Sequence, residues 1–425
     1  MRVSLWLLAL FSAAVAAALF AGSNPGSMTV FWPPYRIDLS LNLVLVLLLL
    51  GFLILHLALR ALSALFSIPR EARLWRQRQR ERSMQASLLD AYAQLIAGRF
   101  VRAKKSAEAV VDQASHLASG EDKLSYAGQL QAIAHLLAAE AAHSLQDRPG
   151  REIHFRAAQD QASRGLAPEA GEGVRLRAAR WALDDHDAAQ ALQVLDDLGQ
   201  GPGRRTLALR IRLKAARMAG RTIMALEAAR LLAKHHALSQ TAARGVLRGL
   251  SIELIQSAHD PAQLAQAWHC LEVAERIMPD VASAAAVRLL TLGGDPATSR
   301  QWLLPIWDQM LNQPGGLGQQ QRVDLVRALE LGFASDPRAL EGEWLTRIES
   351  AQLSHPGDAV LQYLAGVTCM RLQLWGKARQ LLQQALARLQ DVGLRREAWR
   401  QLAEMAAQHG DAEAATEAWR SAAQA

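Results

Sequence analysis

Ala398–Ala423 reads AWRQLAEMAAQHGDAEAATEAWRSAA. Alanines and large residues recur every three or four positions on either side of Gly410-Asp411, which predicts two short amphipathic helices joined by a tight turn. Trp399, Leu402 and Ala403 share a face of the first helix, and Ala415, Trp419 and Ala422 share a face of the second. Gly410 supplies the turn. Alanine at the crossing lets the helices approach closely, and the large residue fills the gap beside it. Such a pair cannot bury its apolar face alone, so it needs copies of itself to stack on.

Copies lie upstream. The preceding unit presents Gly366, Trp375, Ala378, Leu382 and Ala385 at corresponding places. Weaker ones run through Gly98-Arg99-Phe100 with Ala103, Asp187 with Ala191 and Leu195, Gly220 with Ala225 and Ala229, and Gly294-Asp295 to Leu303. Short Gly/Pro breaks near Asp147–Gly150, Gly165–Gly173, Gly199–Gly203, His259–Pro261, Gly293–Pro296, Pro314–Gly318, Ser335–Pro337 and Ser354–Gly357 separate the helical stretches. The expectation is an all-α tetratricopeptide-like solenoid in two blocks, residues 85–199 and 204–425, with Gly199–Gly203 as a hinge. An irregular helical bundle is the other architecture with this pattern.

Toward the N-terminus the character changes. Val3 to Ala21 and Leu39 to Leu59 are apolar stretches of about 20 residues, each long enough as a helix to cross a ~30 Å hydrocarbon core. The link between them carries one cation, Arg36, and one anion, Asp38. After the second come Arg60, Arg70, Arg73, Arg76, Arg78, Arg80 and Arg82, against Glu71 and Glu81. The excess of arginine puts this segment in the cytoplasm and makes it a membrane-surface element. The expectation is a two-helix transmembrane hairpin over residues 1–62, a basic juxtamembrane helix over 63–84, and both termini cytoplasmic at an inner membrane. Trp6, Trp32 and Tyr35 are placed to sit at the interfaces. A cleaved signal peptide ending near Ala16-Ala17-Ala18 is the other reading of the first stretch, and it leaves the large domain where it is. Asn42 and His56, inside the second stretch, read as polar tips near its two ends.

The chain has 425 residues and a net charge of +7. Much of the excess lies just after the second stretch, so the lipid bilayer explains it and nucleic acid does not. Cys270 and Cys369 are the only cysteines, far apart in helical patterns, and read as buried small hydrophobes. Gly171-Glu172-Gly173 and Gly201-Pro202-Gly203 lack the third glycine and the preceding strand of a dinucleotide fingerprint, and no phosphate loop, HExxH or GxSxG occurs. No catalytic, cofactor-binding or metal-ligating residue is assigned. His235-His236 reads as a cap at a helix end, His269-Cys270 as buried packing and His355-Pro356-Gly357 as a turn. Trp302, Trp307 and Trp344 read as solenoid core with Trp375, Trp399 and Trp419, a peptide groove being the alternative.

Taken together, Tyr35-Arg36-Ile37-Asp38-Leu39-Ser40-Leu41-Asn42, the Pro69-Arg70 basic run, Ala97-Gly98-Arg99-Phe100, and His355-Pro356-Gly357-Asp358 with Leu374-Trp375-Gly376-Lys377-Ala378-Arg379 resemble the proteobacterial HemY family. The resemblance covers the chain in order and is strongest over 35–110 and 340–420. It implies an inner-membrane hairpin with a cytoplasmic tetratricopeptide domain, associated with late protohaem synthesis and not an enzyme. The flavoenzyme protoporphyrinogen oxidase that shares the name in some bacteria needs a nucleotide fingerprint, which is lacking here. The expected function is a tethered scaffold holding haem-pathway enzymes near the bilayer. The alternatives are an adaptor for another envelope process, such as lipopolysaccharide assembly control, and a haem- or porphyrin-binding carrier. The first lacks the C-terminal four-cysteine module of such adaptors, and no motif supports porphyrin contact.

Overall fold

The computed structural model describes residues 11–16, 18, 19, 22, 26–118, 127–163, 168–313 and 315–425. The chain divides into two compact units, Met1–Leu166 and Ala167–Ala425. Most of the expected first span lies outside the described residues; within it, 11–16, 18 and 19 are helical.

In the first unit the link between the two apolar stretches is a β-hairpin. Strand β1 (Ser27–Trp32) pairs antiparallel with β2 (Tyr35–Ser40), from Trp32 opposite Tyr35 to Ser27 opposite Ser40. This short hairpin is the one departure from helix among the described elements of a chain that is otherwise all-α, as expected. Thr, Val, Phe, Ile and Tyr favour the extended backbone, and Pro33-Pro34 makes the turn. Thr29 donates its hydroxyl to Asp38 across the pair at 2.6 Å, and the Arg36 guanidinium lies 5.5 Å from the Phe31 ring centre.

Ser40 ends the hairpin and caps helix α1 (Leu41–Ile96), accepting the Leu43 amide at 3.2 Å. This one helix of 56 residues contains Leu41–Leu62, with a mean hydropathy of 2.7 and no burial inside the molecule. Among the described residues it is the one helix long and apolar enough to cross a membrane, so one span is found where two were expected. The helix continues without a break through Pro69 and the arginine run. Its far end packs on α2 (Phe100–Ala118), which packs on α3 (Ala127–Ser144), which packs on α4 (Arg148–Gln161). The interfaces are made of alanine: Ala91, Ala107 and Ala138 are fully buried together. Asp147 accepts the Gly150 amide at 2.9 Å to start α4 and the Lys104 ammonium at 2.7 Å to tie it to α2.

The second unit is a series of helix pairs. Its helices are α5 (Pro168–Asp184), α6 (Ala188–Asp196), the single turn α7 (Gln200–Gly203), α8 (Thr206–Met218), α9 (Thr222–Lys234), α10 (Gln240–Gln256), α11 (Pro261–Cys270) and the short α12 (Val273–Arg276). Then come α13 (Pro279–Thr291), α14 (Pro296–Asn312), α15 (Gln319–Ser335), a 3-10 turn at Pro337–Glu341, α16 (Glu343–Ser354), α17 (Ala359–Arg371), α18 (Trp375–Leu386), α19 (Val392–Gln408) and α20 (Ala412–Gln424). The glycines at 171 and 173 lie inside α5, and the Gly199–Gly203 stretch is mostly α7, across which α6 packs on α8.

The first helices of the pairs (α5, α8, α10, α13, α15, α17, α19) begin roughly 33–40 residues apart, a helical-repeat spacing. Neighbouring first helices touch from α5 to α8 and from α10 through α13, α15 and α17 to α19, and in every pair but α15 and α16, which meet through the 3-10 turn, the second helix packs on its first. One contiguous core runs from Ala179 to Ala418.

One turn recurs within the pairs. A residue with positive φ follows the first helix, and the next amide reaches back to a carbonyl five residues earlier: Arg221 to Ala216, Gly294 to Leu289 and Asp411 to Ala406. This is the Schellman closure, which favours glycine, as at Gly220, Gly293 and Gly410. Gln146, His186 and Gln373 take the same conformation without being glycine. An aspartate then often starts the second helix, as Asp187, Asp295 and Asp411 do.

Candidate functional site

The repeat-packing residues lie as follows. Ala378, Leu382, Ala385 and Ala403 are fully buried. Leu402, Ala415 and Ala422 are buried, and Trp375 and Trp399 pack half-buried against the core. A Cβ on Gly366 would stand 2.8 Å from Leu382 Cγ and 2.9 Å from Cδ2, so helices α17 and α18 cross at the smallest residue. Trp419, on α20, is 47% exposed.

Among the other aromatics, Trp268 stacks on Trp302 at 4.5 Å and Trp307 meets Trp344 edge-on at 5.9 Å. Cys369 is buried as expected. Cys270 is exposed, and so is His269: both stand at the end of α11, where the chain turns and Leu271 takes the buried place. His236 has φ 52°, closing the last turn of α9.

Of the arginine run, Arg60, Arg78, Arg80 and Arg82 are exposed on α1; the side chains of Arg70, Arg73 and Arg76 lie outside the described ones. Because α1 is continuous, at ~1.5 Å per residue Arg70 stands ~12 Å and Arg82 ~30 Å beyond Leu62 along the axis. With screening over ~8 Å, the headgroup field reaches the nearer arginines of an upright helix and not the farther ones.

The stacked first helices of the second unit form the wall of a groove of about 970 Å³. Five helices contribute, from Ile252 on α10 through Val287 on α13, Leu331 on α15 and Tyr363 on α17 to Leu394 on α19. At its centre Tyr363 donates its hydroxyl to Glu330 at 2.8 Å. Burial raises the Glu330 carboxyl above its usual range, and burial beside Glu330 raises the Tyr363 phenol, so the phenol stays protonated and donating. For Glu397, burial pushes upward, but bonds from Arg400 and Gln401 outweigh it and hold the group low, so it is ionised at neutral pH. None of these residues belongs to a motif. Each comes from a different repeat, and no local spacing announces the set.

In the first unit, His135 and His154 face each other with their Nδ1 atoms 3.2 Å apart, and Glu108 lies 3.3 Å from His154 Nε2. Burial, with His154 alongside, lowers His135 to about 4, so its ring is neutral near pH 7. No group of three or more potential metal ligands occurs among the described residues.

The second unit is thus a helical-repeat module of the tetratricopeptide kind, with the groove of such a module on its first helices. Residues 26–146 match a family model described as the HemY protein N-terminus, so this stretch of the chain is similar to that domain.

No curated protein matches the chain. Among solved structures, the P58(IPK) TPR domain is similar at 15% identity, covering 77% of this chain and 99% of that one, with a TM-score of 0.23. The anaphase-promoting-complex heterotetramer Cut9–Hcn1 is similar at 15% identity, 78% and 64% coverage and a TM-score of 0.28. Naa15/Naa10 bound to HypK-THB is similar at 13% identity, 77% and 56% coverage and a TM-score of 0.22.

Proposed function

We propose that the protein is a non-catalytic inner-membrane scaffold whose repeats hold enzymes of late protohaem synthesis beside the bilayer. Two N-terminal spans anchor it, with both termini in the cytoplasm. The observation that carries this reading is the groove on five successive first helices, joined in one chain to a segment able to cross a membrane. Tethering raises the local concentration of a bound enzyme without chemistry of its own, which suits intermediates that partition into lipid. The arginines after Leu62 support the cytoplasmic assignment. The haem pathway enters through the HemY resemblance alone.

The test has three arms. A deletion strain accumulates porphyrin intermediates and is restored by the full chain; normal haem and normal intermediates overturn the haem assignment and favour an adaptor for another envelope process. A photo-crosslinking residue at Leu331 captures a tetrapyrrole-synthesis enzyme in intact cells, and its absence from the crosslinked products removes the groove from the scheme. Alkaline-phosphatase and fluorescent-protein fusions after Met28 and after Val110 report external and internal positions respectively.

A further inference from the structure

The hairpin of β1 and β2 divides its side chains between two unlike faces. Cross-strand partners share a face, and successive residues alternate. The pairs Met28–Leu39, Val30–Ile37 and Trp32–Tyr35 therefore stand on one face, and all six are apolar or aromatic. The pairs Ser27–Ser40, Thr29–Asp38 and Phe31–Arg36 stand on the other. That second face satisfies itself: Asp38 takes the Thr29 hydroxyl and lies 3.6 Å from the Arg36 guanidinium, which in turn covers Phe31. The first face has no such cover. Trp32 and Tyr35 are 71% and 70% exposed, and Met28, Val30 and Ile37 are exposed as well. A two-stranded hairpin is marginal in water on its own and needs a surface on which to lay its apolar side.

The point of attachment tells which surface. Ser40 caps α1, and the Leu41 amide donates to the Gly26 carbonyl at 2.9 Å, so both ends of the hairpin are pinned to the first residue of the apolar segment. The 22 residues of Leu41–Leu62 rise ~33 Å as a helix, enough to fill a hydrocarbon core. Ser40 then stands at the edge of that core. Strands of six residues at ~3.3 Å each make a hairpin ~20 Å long. The headgroup layer is only ~5–8 Å deep, so an upright hairpin carries Trp32 and Tyr35 out of it into water. A flat one brings all six apolar side chains to the boundary of headgroups and acyl chains, the zone that Trp and Tyr favour.

Resting on the membrane anchoring proposed above, we infer that the hairpin lies flat on the bilayer at the start of α1, with the Met28, Val30, Trp32, Tyr35, Ile37 and Leu39 face seated in lipid and the Arg36–Asp38 face turned to water. So seated, it opposes any slide of α1 along the bilayer normal, because the slide lifts these side chains into water.

The experiment uses the full chain with Cys270→Ser, reconstituted in phosphatidylcholine vesicles; Cys369 is buried and stays. An environment-sensitive NBD label is placed at one site at a time: Val30→Cys and Ile37→Cys on the apolar face, Thr29→Cys and Arg36→Cys beside them on the other, and Leu50→Cys within the span. The quenchers are a lipid nitroxide near the top of the acyl chain, a second near the chain end, and iodide on both sides of the vesicle. The upper nitroxide is expected to remove most of the fluorescence at Val30 and Ile37 and little at Thr29 and Arg36, with iodide doing the reverse. Either neighbouring pair decides the matter, so a label that disturbs one strand leaves the other to report.

Equal lipid quenching at neighbouring positions, or none at any of these hairpin sites, overturns the inference. Protection of Val30 and Ile37 from lipid and iodide alike also overturns it, since protein then covers the face: a second copy if protection fades on dilution with excess lipid, residues 3–21 of the same chain if it does not. The label at Leu50 separates the failures. If the chain-end nitroxide quenches it, the anchor stands and only the seated hairpin falls; if not, the anchor falls as well.

Discussion

At the scale of single residues, packing in the second unit is governed by how little side chain stands at the crossings. Gly366 has no room for a methyl group against Leu382. Gly366→Ala is therefore expected to cost about 1–3 kcal/mol through overpacking, read as a lower urea midpoint with an unchanged slope. His135 makes a different kind of contribution. Its folded value near 4 lies below the unfolded value of about 6.5, so between those limits the unfolded chain holds more protons. Stability from this group is full above pH 6.5 and is lost as pH falls toward 4. Denaturation at pH 7 and pH 4.5 is expected to show a steeper loss for the native chain than for His135→Asn. The turn residues show what a sequence reveals and what it hides. Gly220, Gly293 and Gly410 announce left-handed turns because glycine is the usual solution. Gln146, His186 and Gln373 adopt the same conformation, and their identity gives no sign of it.

At the scale of elements, the helices were legible because alanines and large side chains repeat with the period of a helix and Gly/Pro breaks punctuate them. The β-hairpin was not. Ser27–Trp32 and Tyr35–Ser40 alternate over only six residues each, and their exposed aromatics read equally well as an interfacial loop. At residue 62 apolar composition ends while helical geometry does not: α1 runs on to Ile96. Continuity is testable. Gln79→Pro, in the exposed basic stretch, removes a backbone donor and clashes with the preceding turn, and should cost about 3 kcal/mol of helix stability. Limited proteolysis of the purified chain should then cut near residue 79, where the native chain resists. The groove could not be read from elements singly, since its lining is spread over five helices.

At the scale of the whole molecule, each repeat of the second unit touches mainly its neighbours, so stability passes along the stack pair by pair. Interior helices such as α13 and α15 are covered by repeats on both sides, whereas α20 packs mainly on α19. Hydrogen exchange is expected to be slowest in α13 and α15 and fastest in α20, with a graded order between them; uniform protection throughout would argue for one all-or-none block. The uninterrupted helix of the first unit has a consequence of another sort. With no loop between Leu62 and the packed end of α1, the azimuth of that end about the bilayer normal is locked to the azimuth of the span. One residue inserted between them turns the distal face by about 100°, while seven return it to within about 20° of the original phase. Activity that tracked the phase of such insertions, rather than their length, would show that the anchor aims the domain as well as holding it.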